Sequence, residues 1–160
     1  MRFWFDTEFY ENGRTIDLIS IGVVCEDDSE FYAEVEGFDF HNTDQWLVEN
    51  VKPYLTGATM PKEKIAGSLY KFITARTATP QFWAYYADYD WVVFCQLFGR
   101  MIDLPDGFPM YCNDVKQEME RLGLSSSHFN VVNEREHNAL ADARWTRDVH
   151  ILLEKEYKTW

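Results

Sequence analysis

Arg2–Phe9 reads RFWFDTEF and Thr15–Val24 reads TIDLISIGVV, and most of the architecture follows from how these two stretches pair. The first is short and aromatic and runs into Glu11-Asn12-Gly13, a turn signal, so it is expected to be a strand. The second is β-branched and apolar almost throughout, the composition of a strand at a sheet centre. Glu30–Val35 (EFYAEV) alternates and reads as a third strand, reached through the polar turn Glu26-Asp27-Asp28-Ser29. The expectation is an antiparallel meander.

Beyond Val35 the periodicity changes. Thr43–Asn50 and Pro61–Ala75 carry helical spacing, with Ile65, Leu69, Phe72 and Ile73 on one stripe. Pro80–Tyr85 is expected as a short fourth strand and Tyr89–Met101 as a helix. Phe108–Cys112 is expected as a fifth strand, before a helix at Asp114–Leu122. A polar loop from Ser125 to about Glu136 leads into a long final helix, His137 to about Tyr157. Three strands followed by alternating helix and strand define an α/β fold: a mixed five-stranded sheet flanked by helices, in one domain over residues 1–160.

The chain's 160 residues are 46% hydrophobic and 17% aromatic, enough to bury a continuous core. Acidic side chains outnumber basic ones 27 to 15, a net charge of -12, which argues against coating nucleic acid through a basic surface. It does not exclude an enzyme that takes one strand end where bound cations reverse the local field. Cys25, Cys95 and Cys112 form neither a CxxC pair nor a zinc pattern and read as reduced core thiols, in keeping with a reducing compartment. No apolar run reaches the ~18 residues of a membrane span. Acid arrives at Asp6, too early for a secretory leader, so cytoplasmic residence without membrane contact is expected.

Three constellations bear on chemistry. In a strand, residues two apart share a face, so Arg2, Trp4, Asp6 and Glu8 face one way and Phe3, Phe5 and Thr7 the other. Two adjacent carboxylates on so aromatic a strand are costly to desolvate without a counter-charge, which a hard divalent cation supplies. A strand edge facing water explains them as well. Asp90 opens a helix just after a strand, where ligands of α/β sheets gather, though acids in a first helical turn also favour the helix dipole. Asp88 reads equally as an N-cap. His137 and Asp142 form an H-x4-D whose side chains would stand ~140° apart on a helix. The pair makes chemical sense with His137 on the preceding loop, free to take a proton from a water, and Asp142 projecting from the first turns. A surface histidine beside a surface aspartate is the plain alternative.

An N-terminal DxE, an acid opening a mid-chain helix and a late HxxxxD resemble, in this order, the DEDDh 3'-5' exonuclease superfamily, whose fold is ribonuclease H-like. Within it the chain is similar to the ribonuclease AS-type 3'-5' exoribonuclease family. The matching stretches are Asp6-Thr7-Glu8-Phe9 with Ile16–Val24, Trp83-Ala84 with Tyr89-Asp90, Cys95-Gln96-Leu97 with Gly99, and His137 with Ala139-Leu140 and Asp142-Ala143-Arg144. Together they span Phe3 to about His150. The resemblance implies that Asp6, Glu8, Asp90 and Asp142 hold two Mg²⁺ ions, for which Mn²⁺ can substitute, and that His137 is the general base. It implies hydrolysis of nucleoside monophosphates from the 3' end of single-stranded, adenylate-rich RNA, by a homodimer. Thr7, Glu8, Phe9 and His137 are the expected substrate contacts; Phe9, just past the acids, reads as a platform for a terminal base or equally as an ordinary core or rim aromatic. Many members carry an Asn four residues before the middle Asp, where this chain has Tyr86. Lys52, Lys62, Lys64, Lys71 and Arg76 offer a path for a strand, or simply a solvated helical face. The same site would serve an exonuclease of single-stranded DNA or short oligonucleotides, or survive in an inactive nucleic-acid-binding module.

Overall fold

A computed structural model describes residues 1–157. Strand β1 (Arg2–Glu11) turns at Asn12-Gly13 and pairs antiparallel with β2 (Ile16–Cys25), placing Asp6 opposite Gly22 and Glu8 opposite Ser20. Asn12 builds the turn: its side-chain oxygen accepts from the Arg14 and Thr15 amides, and Gly13 takes the positive φ of 81°. β3 (Glu30–Val35) completes the antiparallel meander. There follow α1 (Gln45–Asn50), β4 (Thr59–Met60), α2 (Lys62–Thr74), β5 (Gln81–Ala84), α3 (Ala87–Phe98), β6 (Asn113–Asp114), α4 (Val115–Arg121) and α5 (Ala139–Tyr157). The mixed sheet has the order β4-β3-β2-β1-β5-β6, with β5 parallel to both β1 and β6.

The sheet has six strands where five are expected. β4 is a two-residue pairing with the end of β3, too short to leave any periodicity. The strand expected at Phe108–Cys112 is absent. Pro105, Gly107 at φ 87° and Pro109 break that stretch, and the Phe108 amide closes a turn onto the Pro105 carbonyl. Phe108 instead puts its ring on Phe82, and pairing resumes only at Asn113-Asp114. Helix starts also shift: α1 begins two residues later than Thr43, α3 two residues earlier than Tyr89, and α5 at Ala139, leaving His137 outside it.

The alternation of β1 sorts the two layers. Phe3 and Phe5 join Phe82, Phe94, Ile65, Leu69 and Ile73 in the core beneath α2 and α3. Trp4 faces α5, where its indole N–H donates to His150 Nδ1 at 2.9 Å. His150 is wedged between Trp4 and Trp83. Burial pushes its pKa down to about 4, so it is a neutral packing element. Arg2 reaches Glu154 at 2.6 Å, Arg144 forks onto Glu30, and Arg147 meets Asp28. These ties seat α5 along β1, β2 and the β2–β3 turn. Among the described residues no helix is long and apolar enough to cross a membrane.

Candidate active site

The site forms where β1 outruns its neighbour. β5 pairs with β1 only as far as Trp4 opposite Trp83, so the next stretch of β1 has an open edge on that side. α3 fills the opening. Asp90 in its first turn accepts from both the Thr7 amide (2.8 Å) and the Thr7 hydroxyl (2.6 Å). Thr7, expected to touch substrate, is thus engaged in holding Asp90 against the strand.

Asp114 sets the start of α3 from beside it. Its carboxylate accepts from the Tyr86 and Ala87 amides and also from Lys116 and Gln117, capping α3 and α4 together. Tyr86 bends the chain into α3 with a left-handed backbone (φ 59°, ψ 50°), and its ring is 63% exposed. Asn tolerates that conformation far better than an aromatic residue does.

α5 brings Asp142 to the other face of β1. Its first turn lies directly on β2 at Gly22, where an added Cβ would collide with the Ala139–Leu140 peptide. Because Gly22 is the cross-strand partner of Asp6, this contact sets the separation of Asp6 and Asp142. We expect Gly22→Ala to lift the helix, costing about 1–3 kcal/mol and most of the activity. Urea unfolding and an RNA-trimming assay on one preparation check this; wild-type values in both would show that the close approach is unimportant.

Asn138 fixes how α5 begins. Its side-chain oxygen accepts from the Ala141 amide at 3.2 Å, as an N-cap does, while its NH₂ donates to the Tyr54 carbonyl and the Tyr32 hydroxyl. Tyr32 in turn donates to the buried Glu34 at 2.8 Å. His137 precedes this cap with φ 70°, and its backbone amide donates to Asp142 Oδ2 at 2.9 Å. Asn133 donates to the other Asp142 oxygen. The His137 ring stands edge-to-face with Trp46, 4.8 Å between centroids, and that tryptophan is 52% exposed on α1.

Asp6, Glu8 and Asp142 converge so closely that one oxygen from each lies within 4.8 Å of the others. Asp90 stands beside this trio, its Oδ1 turned to Thr7. No cation from the chain is paired with any of the four acids among the described residues. Desolvation, then the charges of Asp90, Glu8 and Asp142, hold Asp6 protonated well above the usual carboxylate range. Desolvation, Asp142 and Asp90 push Glu8 up to about 8. Burial raises Asp90 to about 6 against the pull of the Thr7 hydrogen bonds. Burial likewise raises Asp142 to about 6, opposed by Asn133 and His137. Desolvated hard oxygens with no counter-charge fit a divalent cation such as Mg²⁺ or Mn²⁺.

Phe9, past the register shift, is half-buried and stacks on Tyr89 at 5.8 Å, forming an aromatic rim beside Glu8. Of the basic residues expected to guide a strand, Arg76 is committed elsewhere. It donates to Ser29 and the Phe72 carbonyl, pairs with Asp27 and lies over the Phe72 ring. Lys62 approaches Asp17 at 3.9 Å, and Lys52 lies over Phe40. Sequence reading missed Asn133, Asn138, Trp46, Asp114 and Gly22. Only Asn138 and Asp114 carried a signal, as polar residues immediately before helices.

A mixed sheet with three antiparallel leading strands, helices on both faces and acids gathered on its first strand is a ribonuclease H-like fold. A solved structure of S. pombe Pop2p, in a Mg²⁺- and Mn²⁺-bound form, shares it. The TM-score is 0.71 at 14% identity, covering 98% of this chain and 84% of that one. Residues 1–152 match the 3'-5' exoribonuclease Rv2179c-like domain. The 3'-5' exoribonuclease Rv2179c of Mycobacterium tuberculosis strain H37Rv is 37% identical over 149 residues, 90% of this chain and 88% of its own length. The 3'-5' exoribonuclease MT2234.1 of strain CDC 1551 matches to the same extent. The chain belongs to the Rv2179c-like 3'-5' exoribonuclease family.

Proposed function

We propose that this protein removes nucleoside monophosphates one at a time from the 3' end of single-stranded RNA, in a hydrolysis that requires Mg²⁺ or Mn²⁺. The observation that carries the reading is the unpaired trio Asp6, Glu8 and Asp142, with Asp90 alongside and a loop histidine tied through its backbone to Asp142. The four carboxylates would hold the cations, which when bound polarise the scissile phosphate and acidify a water. His137, outside the helix, has the freedom to accept that water's proton. Trp46 against one edge of the ring limits where the imidazole can point. Phe9, braced by Tyr89, offers a face for the terminal base, a contact worth about 1–3 kcal/mol. Water adds across the P–O3' bond: the released nucleotide keeps its 5'-phosphate and the shortened strand ends in a 3'-hydroxyl.

The test is a gel with 5'-labelled RNA and DNA of one sequence, and an oligo(A) of equal length. With Mg²⁺ the wild-type protein should ladder RNA one nucleotide at a time, and EDTA should stop it. His137→Ala should retain cation binding but lose ~10²–10⁴-fold in turnover. Equal DNA degradation would move the assignment to a general single-strand exonuclease, and cleavage in EDTA would remove the cations from the reading. Faster laddering of oligo(A) would add an adenylate preference.

A further inference from the structure

The acid cluster has a second neighbour besides the Phe9–Tyr89 rim. A cavity of about 490 Å³ opens from Asp6 and Asp142 toward the β5–α4 side, walled by Tyr85, Trp145, Phe129, Asn133, Ser126 and Ser127. Its wall comes from α5, the loop before it and the residue after β5, and includes neither Glu8 nor the Phe9–Tyr89 rim. On the reading given above, a strand with its terminal base at Phe9 would find this cavity next along the acids.

We propose that this cavity binds the nucleotide immediately 5' of the scissile phosphodiester. Its size falls within the ~300–1,000 Å³ of small-ligand sites. Its wall sets the rings of Tyr85, Phe129 and Trp145 and the side chain of Val131 among hydroxyl, amide and carboxylate groups, Glu136 and Thr146 included, a mixture that suits a nucleoside. Tyr85 and Trp145 meet at 90°, 5.0 Å between centroids, so they brace each other without stacking face to face. The Trp145 indole N–H donates to the Val131 carbonyl at 3.2 Å, which fixes the ring against the loop. That loop continues to Asn133, which holds Asp142, so the cavity wall and the acid site share one support. Base stacking in such a wall tolerates any sequence, since every base has a π-face.

The proposal rests on the exoribonuclease reading, and two substrates separate their failures. One is single-stranded RNA. The other is the 5'-p-nitrophenyl ester of uridine monophosphate, which presents the terminal nucleotide and a leaving group but no upstream nucleoside. Ser126 is exposed, so Ser126→Trp fills the cavity mouth without disturbing the core. It should raise KM for RNA by ~10-fold or more while ester hydrolysis stays near wild type. Tyr85→Ala should shift the two substrates apart in the same direction. Equal losses on RNA and ester, a loss on the ester alone, or no loss on either would overturn the assignment. Wild-type protein that hydrolyses neither substrate would instead overturn the exoribonuclease reading itself.

Discussion

Asp6→Asn is expected to abolish RNA trimming, by ~10³-fold or more, while making the metal-free protein more stable. The two effects have one cause. Asp6 is desolvated and faces three other carboxylates, with no chain cation to offset them. Such an arrangement is costly in the empty site and useful only when divalent cations occupy it. Asparagine keeps the shape of the side chain, removes the charge, and supplies an NH₂ that can donate to Glu8 or Asp142. Relief of this kind is worth about 1–2 kcal/mol. For a domain of this size that is a rise of ~2–8 °C in melting temperature. Differential scanning calorimetry in EDTA at pH 8 measures the gain, and added Mg²⁺ should stabilise wild type more than the variant. A metal-free variant less stable than wild type would mean the acids are already compensated within the chain, removing the physical basis of the site.

The parts of this site legible in sequence are those that depend on local spacing. Period-two alternation placed Asp6 and Glu8 on one face of β1, opposite Phe3 and Phe5, and the structure keeps that division. The angular mismatch of His137 and Asp142 implied a loop position for the histidine, where it is found. What stayed hidden depends on neighbours distant in the chain. Nothing local to Gly22 announces that α5 will rest on it. Nothing in Asn133 or Trp46 marks one as a partner of Asp142 and the other as a neighbour of His137. Thr7 is expected to touch substrate from the family resemblance alone. Its hydrogen bonds to Asp90 follow from β5 stopping short, a fact of sheet geometry that no window of sequence contains. β4 and β6 escaped for a related reason, since two-residue pairings are made by the sheet edge and carry no pattern of their own.

The same raised acids make cation binding and stability depend on pH in opposite senses. A carboxyl whose folded pKa lies above its unfolded value binds more protons in the native state, so metal-free stability falls as pH rises between the two. For Asp90 and Asp142 the window runs from about 4 to about 6, and for Glu8 it extends to about 8. The metal-free protein should therefore melt at a progressively lower temperature from pH 5 to pH 8, losing on the order of a few kcal/mol. Divalent cations need the ionised acids, so their affinity climbs over this interval as they displace protons. Near pH 7 Glu8 still holds its proton whereas Asp90 and Asp142 are largely ionised. Filling the site should then release protons, at least the one on Glu8, and affinity should rise ~10-fold or more per pH unit. Isothermal titration calorimetry of Mn²⁺ binding in buffers of different ionisation enthalpy counts those protons directly. Affinity unchanged between pH 6 and pH 8, with no proton release, would place the cations somewhere other than these four carboxylates. In EDTA, Glu8→Gln should flatten the stability profile above pH 6 more than loss of Asp90 or Asp142 does, because Glu8 keeps its proton up to about pH 8 and they to about 6.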